Sequence, residues 1–245
     1  MKRYKLTCAY DGSRYKGWQR LGDGENTIQD TIETVIGKVI HFKVAIQGSG
    51  RTDAGVHAKG QVFDLKLPFS LKEDFLSKVN QDLPEDIRIL KVEQMPGEFR
   101  ARYDAQGKVY QYFVCTWERP CVFETKYVYH FPYELDVEAM RKGASYLLGK
   151  HDFTSFTDDK TEEKNKSRII HEIHIIEEEG KILFEYCGNG FLQHMVRIIT
   201  GTLLEVGRGD KKPEEVLRIL KVKNRGEAGF LAPAKGLFLK EVQYD

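Results

Sequence analysis

Proline is sparse in this chain, at 7 of 245 residues, and cysteine and tryptophan are rarer still, at four and two. No run approaches the ~18 uninterrupted apolar residues that a membrane helix requires, so a membrane-spanning protein is not expected. The start Met1-Lys2-Arg3-Tyr4-Lys5 is basic, but the apolar run behind it is too short for a signal peptide. Cys8, Cys115, Cys121 and Cys187 contain no C-x-x-C pair. That removes the usual zinc spacing and a disulfide framework, leaving reduced, mostly buried thiols in a cytoplasmic protein as the expectation. An excess of one charge is also missing: 38 Lys and Arg face 37 Asp and Glu, a net charge of +1. With 41% hydrophobic residues and both signs interspersed, the composition is that of a folded protein. A chain of this length buries about 70% of its unfolded surface and needs no staples. It makes one large domain or two small ones.

The even balance conceals local excess. Residues 1–20 carry Lys2, Arg3, Lys5, Arg14, Lys16 and Arg20 against Asp11 alone, and residues 211–225 carry six basic side chains against Glu214 and Glu215. Two readings stand, solvated faces or a footprint for a polyanion.

Apolar periodicity predicts strands at 3–10, 41–47, 60–67 and 86–92. Between them fall a helix through Ile28, Ile32 and Ile36, capped by Asn26 or Thr27, and one opened by the capping box Ser70-Leu71-Lys72-Glu73. The order is β-α-β-β-α-β, the ferredoxin-like unit. The second part repeats it. Strands are expected at 108–115, 168–176, 181–187 and 236–243, with helices after Asp136, over 191–206, and an inserted one from Pro213. The expected class is α+β: two ferredoxin-like halves, residues 1–104 and 105–245, with mainly antiparallel sheets, helices on one side and an active-site cleft between the halves. The polar segment 153–167 reads as a mobile surface loop.

The most unusual segment is Gly48-Ser49-Gly50-Arg51-Thr52-Asp53-Ala54-Gly55-Val56-His57-Ala58. It lies between two expected strands, and its glycines call for tight turns or close approach of another molecule. It is neither a dinucleotide fingerprint nor a P-loop, because Asp53 stands where a third glycine would fall and no Gly-Lys-Ser/Thr follows. Asp53 reads as a turn-forming side chain or as a reactive carboxylate. On the apolar helix from 191, Gly190, His194, Arg197 and Gly201 share a second face. A partly buried Arg197 requires an anion, either a structural glutamate or Asp53. Tyr110 serves sheet packing or forms an aromatic wall for a planar base. His171 and His174 point to opposite faces of a strand and make a poor metal pair.

Taken together, the Gly50–Ala58 run resembles the signature of the TruA-type tRNA pseudouridine synthases. Tyr10-Asp11-Gly12 through Gly17-Trp18-Gln19, Lys108–Tyr112, Asp152–Phe156, Phe191–Arg197 and Gly236–Leu239 are similar to further family segments in the same order. Lys235 stands where the family pattern has an acidic residue, and the loop after Phe156 is shortened. The resemblance implies a cofactor-free, metal-free isomerase that converts uridine to pseudouridine at nucleotides 38, 39 and 40 of the tRNA anticodon stem-loop. It implies a homodimer with a basic cleft for the RNA. It makes Asp53 the nucleophile, Tyr110 a contact to the target base, Arg197 the partner of Asp53 and Leu237 an apolar wall. Arg51 would fill the gap left by the extruded nucleotide, with His57 nearby and His194 on the substrate side. Attack at C1′ or C6, or assistance to a glycal intermediate, all fit a single carboxylate. The competing readings are a non-catalytic two-module RNA-binding protein and a hydrolase of free nucleosides.

Overall fold

Burial along Lys2–Tyr10 alternates strictly, with Tyr4, Leu6, Cys8 and Tyr10 inside, and this segment is the first strand, β1. The computed structural model describes residues 1–22, 24–119, 122–161 and 165–244, and it divides into two units. One is Met1–Gln106 together with the segment from Phe238, and the other is Gly107–Leu237.

In the first unit, helix α1 (Ile28–Ile40) begins at Thr27, whose hydroxyl accepts the Asp30 amide at 3.3 Å. Strands β2 (Ile46–Gly48) and β3 (His57–Leu67), helix α2 (Phe75–Asp82) and strand β4 (Ile87–Met95) follow. β1 lies between β3 and β4, and β2 pairs with β3, all antiparallel. Ile28, Ile32 and Ile36 of α1 and Val79 of α2 are buried with Leu6, Phe63 and Leu65 of the sheet. Val62, on the face opposite Phe63, packs with Phe99, Ala101, Met95, Val242 and Tyr244 in a smaller cluster.

In the second unit come β5 (Gly107–Cys115), β6 (Tyr129–His130), α3 (Val137–Ser145) and β7 (Gly149–Asp152). They are followed by β8 (Ser167–Glu178), β9 (Lys181–Gly188), α4 (Met195–Gly207) and α5 (Pro213–Val222). The antiparallel order is β5-β9-β8-β7, with β6 parallel to β5. Asp136 caps α3 by accepting the Ala139 amide at 2.8 Å. Glu179 and Gly180, both at positive φ, form the two-residue turn of the β8–β9 hairpin. Gly201 of α4 is obligatory, because a Cβ there would lie 1.9 Å from the Phe230 carbonyl oxygen.

Each unit is thus α+β with a mainly antiparallel sheet. Several expectations are corrected. The last strand, β10 (Leu237–Gln243), was expected in the half 105–245. It pairs in parallel with β3 through Phe238↔His57 and Leu239↔Ala58, so the segment from Phe238 belongs to the first unit. The Ser70–Glu73 capping box is not used: α2 starts at Phe75, and its cap residue Asp74 makes no side-chain capping bond. Helix α4 starts at Met195 rather than 191, since His194 is left-handed at φ 63. The 153–167 segment is no surface loop at its start. Phe153, Ser155 and Phe156 are fully buried, and Ser155 Oγ donates to the Ile219 carbonyl at 2.5 Å. Two aromatics three residues apart, in a stretch otherwise polar, anchor a 3-10 turn at Thr154–Phe156. Residues 162–164 of that loop, and Cys121 among the expected thiols, lie outside the described residues. Cys8 and Cys115 are buried free thiols, and Cys187 is half-buried.

Candidate functional site

The first unit holds Asp53 on the connection from β2 to β3, and the Tyr10–Gln19 segment fixes that connection from beneath. The Trp18 amide donates to the Thr52 carbonyl at 3.0 Å, and the Gly55 amide donates to the Tyr15 carbonyl at 3.3 Å. The Tyr10 and Thr52 hydroxyls lie 2.8 Å apart in a buried pair. The Val56 amide donates to the Asp53 carbonyl at 3.1 Å, closing a turn around the carboxylate. Gly17 has φ +97°, and a Cβ there would sit 2.6 Å from the Thr52 carbonyl oxygen, so only glycine allows this approach. Tyr10, Trp18 and Phe63 form a chain of tilted rings with centroids 6.0 Å apart. Ser49 Oγ meets Gln61 Oε1 at 2.8 Å, and Gln61 Nε2 donates to the Gly50 carbonyl at 3.1 Å. Thr52 is buried, Asp53 half-buried and Arg51 exposed. A rigid backbone therefore presents one carboxylate at the edge of solvent.

His57 is 1% exposed. Its Nδ1 accepts the Gly12 amide at 3.1 Å, Asp11 Oδ1 lies 3.0 Å from the same nitrogen, and the ring stacks on Phe238 at 4.6 Å. Its place is in the interior of the first unit, where β10 joins β3.

The second unit carries the other expected residues. Tyr110, on β5 opposite Tyr186, is almost buried and meets the Phe191 ring edge-on at 5.2 Å. Tyr112, two residues on, is fully buried and donates to the Pro233 carbonyl at 2.7 Å. Burial pushes its phenol well above the ordinary range, against the pull of the Arg197 charge. Arg197, in the first turn of α4, is half-buried, and its Nε donates to the Ala232 carbonyl at 2.7 Å. Leu237 is buried at the start of β10. Lys235 donates to the Thr125 carbonyl at 3.0 Å, a backbone contact that an acidic residue could not make.

His194 is the residue whose surroundings the sequence reading missed. Its Nδ1 lies 2.6 Å from Asp158 Oδ2, while Asp158 Oδ1 accepts from Arg225 Nε at 2.9 Å. Burial works to raise the Asp158 carboxyl, but hydrogen bonds and charge from His194 and Arg225 hold it below the ordinary carboxylate range. Thr157 Oγ1 adds a bond to the Gln193 carbonyl at 2.9 Å. The start of α4, and Arg197 with it, is tied to residues 36 and 31 positions away in sequence from His194. Neither spacing nor periodicity signals such a set. Among the described residues, no group of three or more His, Cys, Asp or Glu is placed to hold a metal ion, and no helix is long and apolar enough to cross a membrane.

Comparison with known proteins identifies the family. A family model described as tRNA pseudouridine synthase matches residues 7–104 and 144–245. The tRNA pseudouridine synthase A of Bacillus sp. (strain KSM-64) is 47% identical over 246 residues, covering 100% of both chains. Bacillus cereus proteins called tRNA pseudouridine synthase A 1 (strain ATCC 14579) and A 2 (strain ZK / E33L) are 45% and 43% identical, again over 100% of both chains. The chain belongs to the tRNA pseudouridine synthase family, a family of isomerases.

Proposed function

We propose that this chain isomerises uridine to pseudouridine at nucleotides 38, 39 and 40 of the tRNA anticodon stem-loop, with Asp53 as the nucleophile. Family membership sets the reaction, and one observation carries the residue assignment: Asp53 alone among the expected residues is a half-buried carboxylate on a loop whose backbone is fixed on both sides. In the reaction the N1–C1′ bond breaks, the uracil turns, and C5 bonds to C1′. C5 gives up its proton and N1 gains one, so atoms balance within one nucleotide and no electrons pass to a second molecule. The ionised carboxylate is the form that attacks, and a guanidinium beside it favours that form. Arg197 takes that part, Tyr110 and Leu237 wall in the detached base, and Arg51 fills the gap left by the flipped nucleotide. The antiparallel order β4-β1-β3-β2 of the first unit and β5-β9-β8 of the second support two ferredoxin-like halves. His57 and His194 act by holding their own units in shape. The protein works as a cytoplasmic homodimer.

The test is incubation of the purified protein with unmodified tRNA, followed by mapping of pseudouridine in the anticodon arm. Wild type is expected to modify positions 38 to 40. Asp53→Asn is expected to lose at least roughly 10³-fold in rate while still binding tRNA. Full activity of that variant would overturn the nucleophile assignment, and binding without product by wild type would leave only an RNA-binding module.

A further inference from the structure

Carboxylates or carbonyls occupy most arginines of the first unit. Arg3, Arg14 and Arg20 pair with Asp64, Asp86 and Glu33, and Arg88 donates to the carbonyls of Leu83, Pro84 and Ile87. Arg51, Arg100 and Arg102 differ: all three are exposed, and among the described residues none of their guanidinium groups meets a carboxylate or a carbonyl. Arg100 and Arg102 instead lie against one ring, with their guanidinium carbons 5.8 and 5.9 Å from the centre of Tyr103, which is itself 64% exposed.

A guanidinium resting on an aromatic face keeps its N–H edge free and loses little entropy when that edge is used. The turn carrying these side chains is also built to stay still. Phe99 and Ala101 are buried, the Ala101 amide donates to Asp64 at 2.9 Å, and the Arg100 amide donates to Asp104 at 2.9 Å. The Tyr244 hydroxyl donates to the Ala101 carbonyl at 2.6 Å. Asp64 lies on β3, the strand that leaves the Asp53 loop, so one strand joins that loop to the Arg100–Arg102 turn.

We propose that Arg100 and Arg102, braced on Tyr103, form a phosphate-binding platform for the tRNA strand next to the nucleotide being modified, an extension of the site that rests on the function proposed above. Planar, unpaired guanidinium groups suit the bidentate geometry of phosphate oxygens. Two of them on one turn, two residues apart, match successive phosphates of one strand better than a single small anion. Their part is affinity and register, with no role at the reacting atoms.

The experiment measures binding of unmodified tRNA across a salt series for wild type, R100A/R102A, R100K/R102K and D53N, with single-turnover rates at saturating enzyme. R100A/R102A is expected to bind roughly tenfold or more weakly at low salt, with the slope of log K against log salt reduced by about two. Its thermal midpoint should match wild type, because both side chains are exposed. R100K/R102K should recover the slope but only part of the affinity. Wild-type slope and affinity in R100A/R102A would overturn the platform. Failure of the functional reading looks different: D53N would retain activity, or wild type itself would not bind tRNA.

Discussion

In the first unit the Asp53 loop hangs on amide-to-carbonyl bonds, a glycine at φ +97° and one hydroxyl pair. In the second, the first turn of α4 is pinned by the charged set His194, Asp158 and Arg225. The difference follows from what each side chain has to do. On the Asp53 loop, backbone geometry does the positioning. Arg197 is delivered by a helix, and at the start of that helix His194 keeps a left-handed conformation, costing about 1–2 kcal/mol, beside its contact with Asp158. Backbone support is insensitive to pH and salt, whereas ionic support responds to both.

The sharpest way to break the comparison is Gly17→Ala. Strain at positive φ and the collision with the Thr52 carbonyl should together cost about 3 kcal/mol. Activity should fall with stability, read by thermal unfolding beside single-turnover rates; a stable, active variant would mean that the loop does not depend on this approach. Next is Asp158→Asn, expected to cost about 1 kcal/mol because the pair is partly solvated. Asp158 is held below its unfolded carboxylate value, so its contribution is present at neutral pH and vanishes as pH falls through the folded value. The stability gap to wild type should therefore stay constant from about pH 7 to 5 and close below about pH 4. A gap independent of pH would show that the ionic support is not what Asp158 supplies. The smallest effect is that of Tyr10→Phe, about 1 kcal/mol or less with a few-fold loss of rate. Adding Thr52→Val should bring little further loss, since both remove the same bond. This gap should show no acid dependence, and an acid-sensitive one would erase the contrast between the units.

Local chemistry made much of the fold legible in sequence. Thr27 and Asp136 cap the helices their positions announce, and Glu179-Gly180 turns between the strands expected at 168–176 and 181–187. Legibility stopped where distant segments decide. The Ser70 box has the right letters but no helix to cap until Phe75, and Phe153 and Phe156 pull a polar stretch into the interior. At the site, Asp53 stands out because glycines and a carboxylate share an unusual loop. Asp158 does not, because a lone aspartate in a polar segment looks like any other until folding brings His194 and Arg225 to it. His57 was read by its neighbours in the motif; its burial against Phe238 comes from a strand nearly two hundred residues later.

That late strand has a consequence for biogenesis. β10 completes the first unit only after the entire second unit has been synthesised, and it packs Phe238 on the histidine at the end of the Asp53 loop. A nascent chain with its first hundred residues already outside the ribosome still lacks a neighbour of the Asp53 loop. Completion of the first unit is thus coupled to synthesis of the second, which must be made before β10 can reach β3.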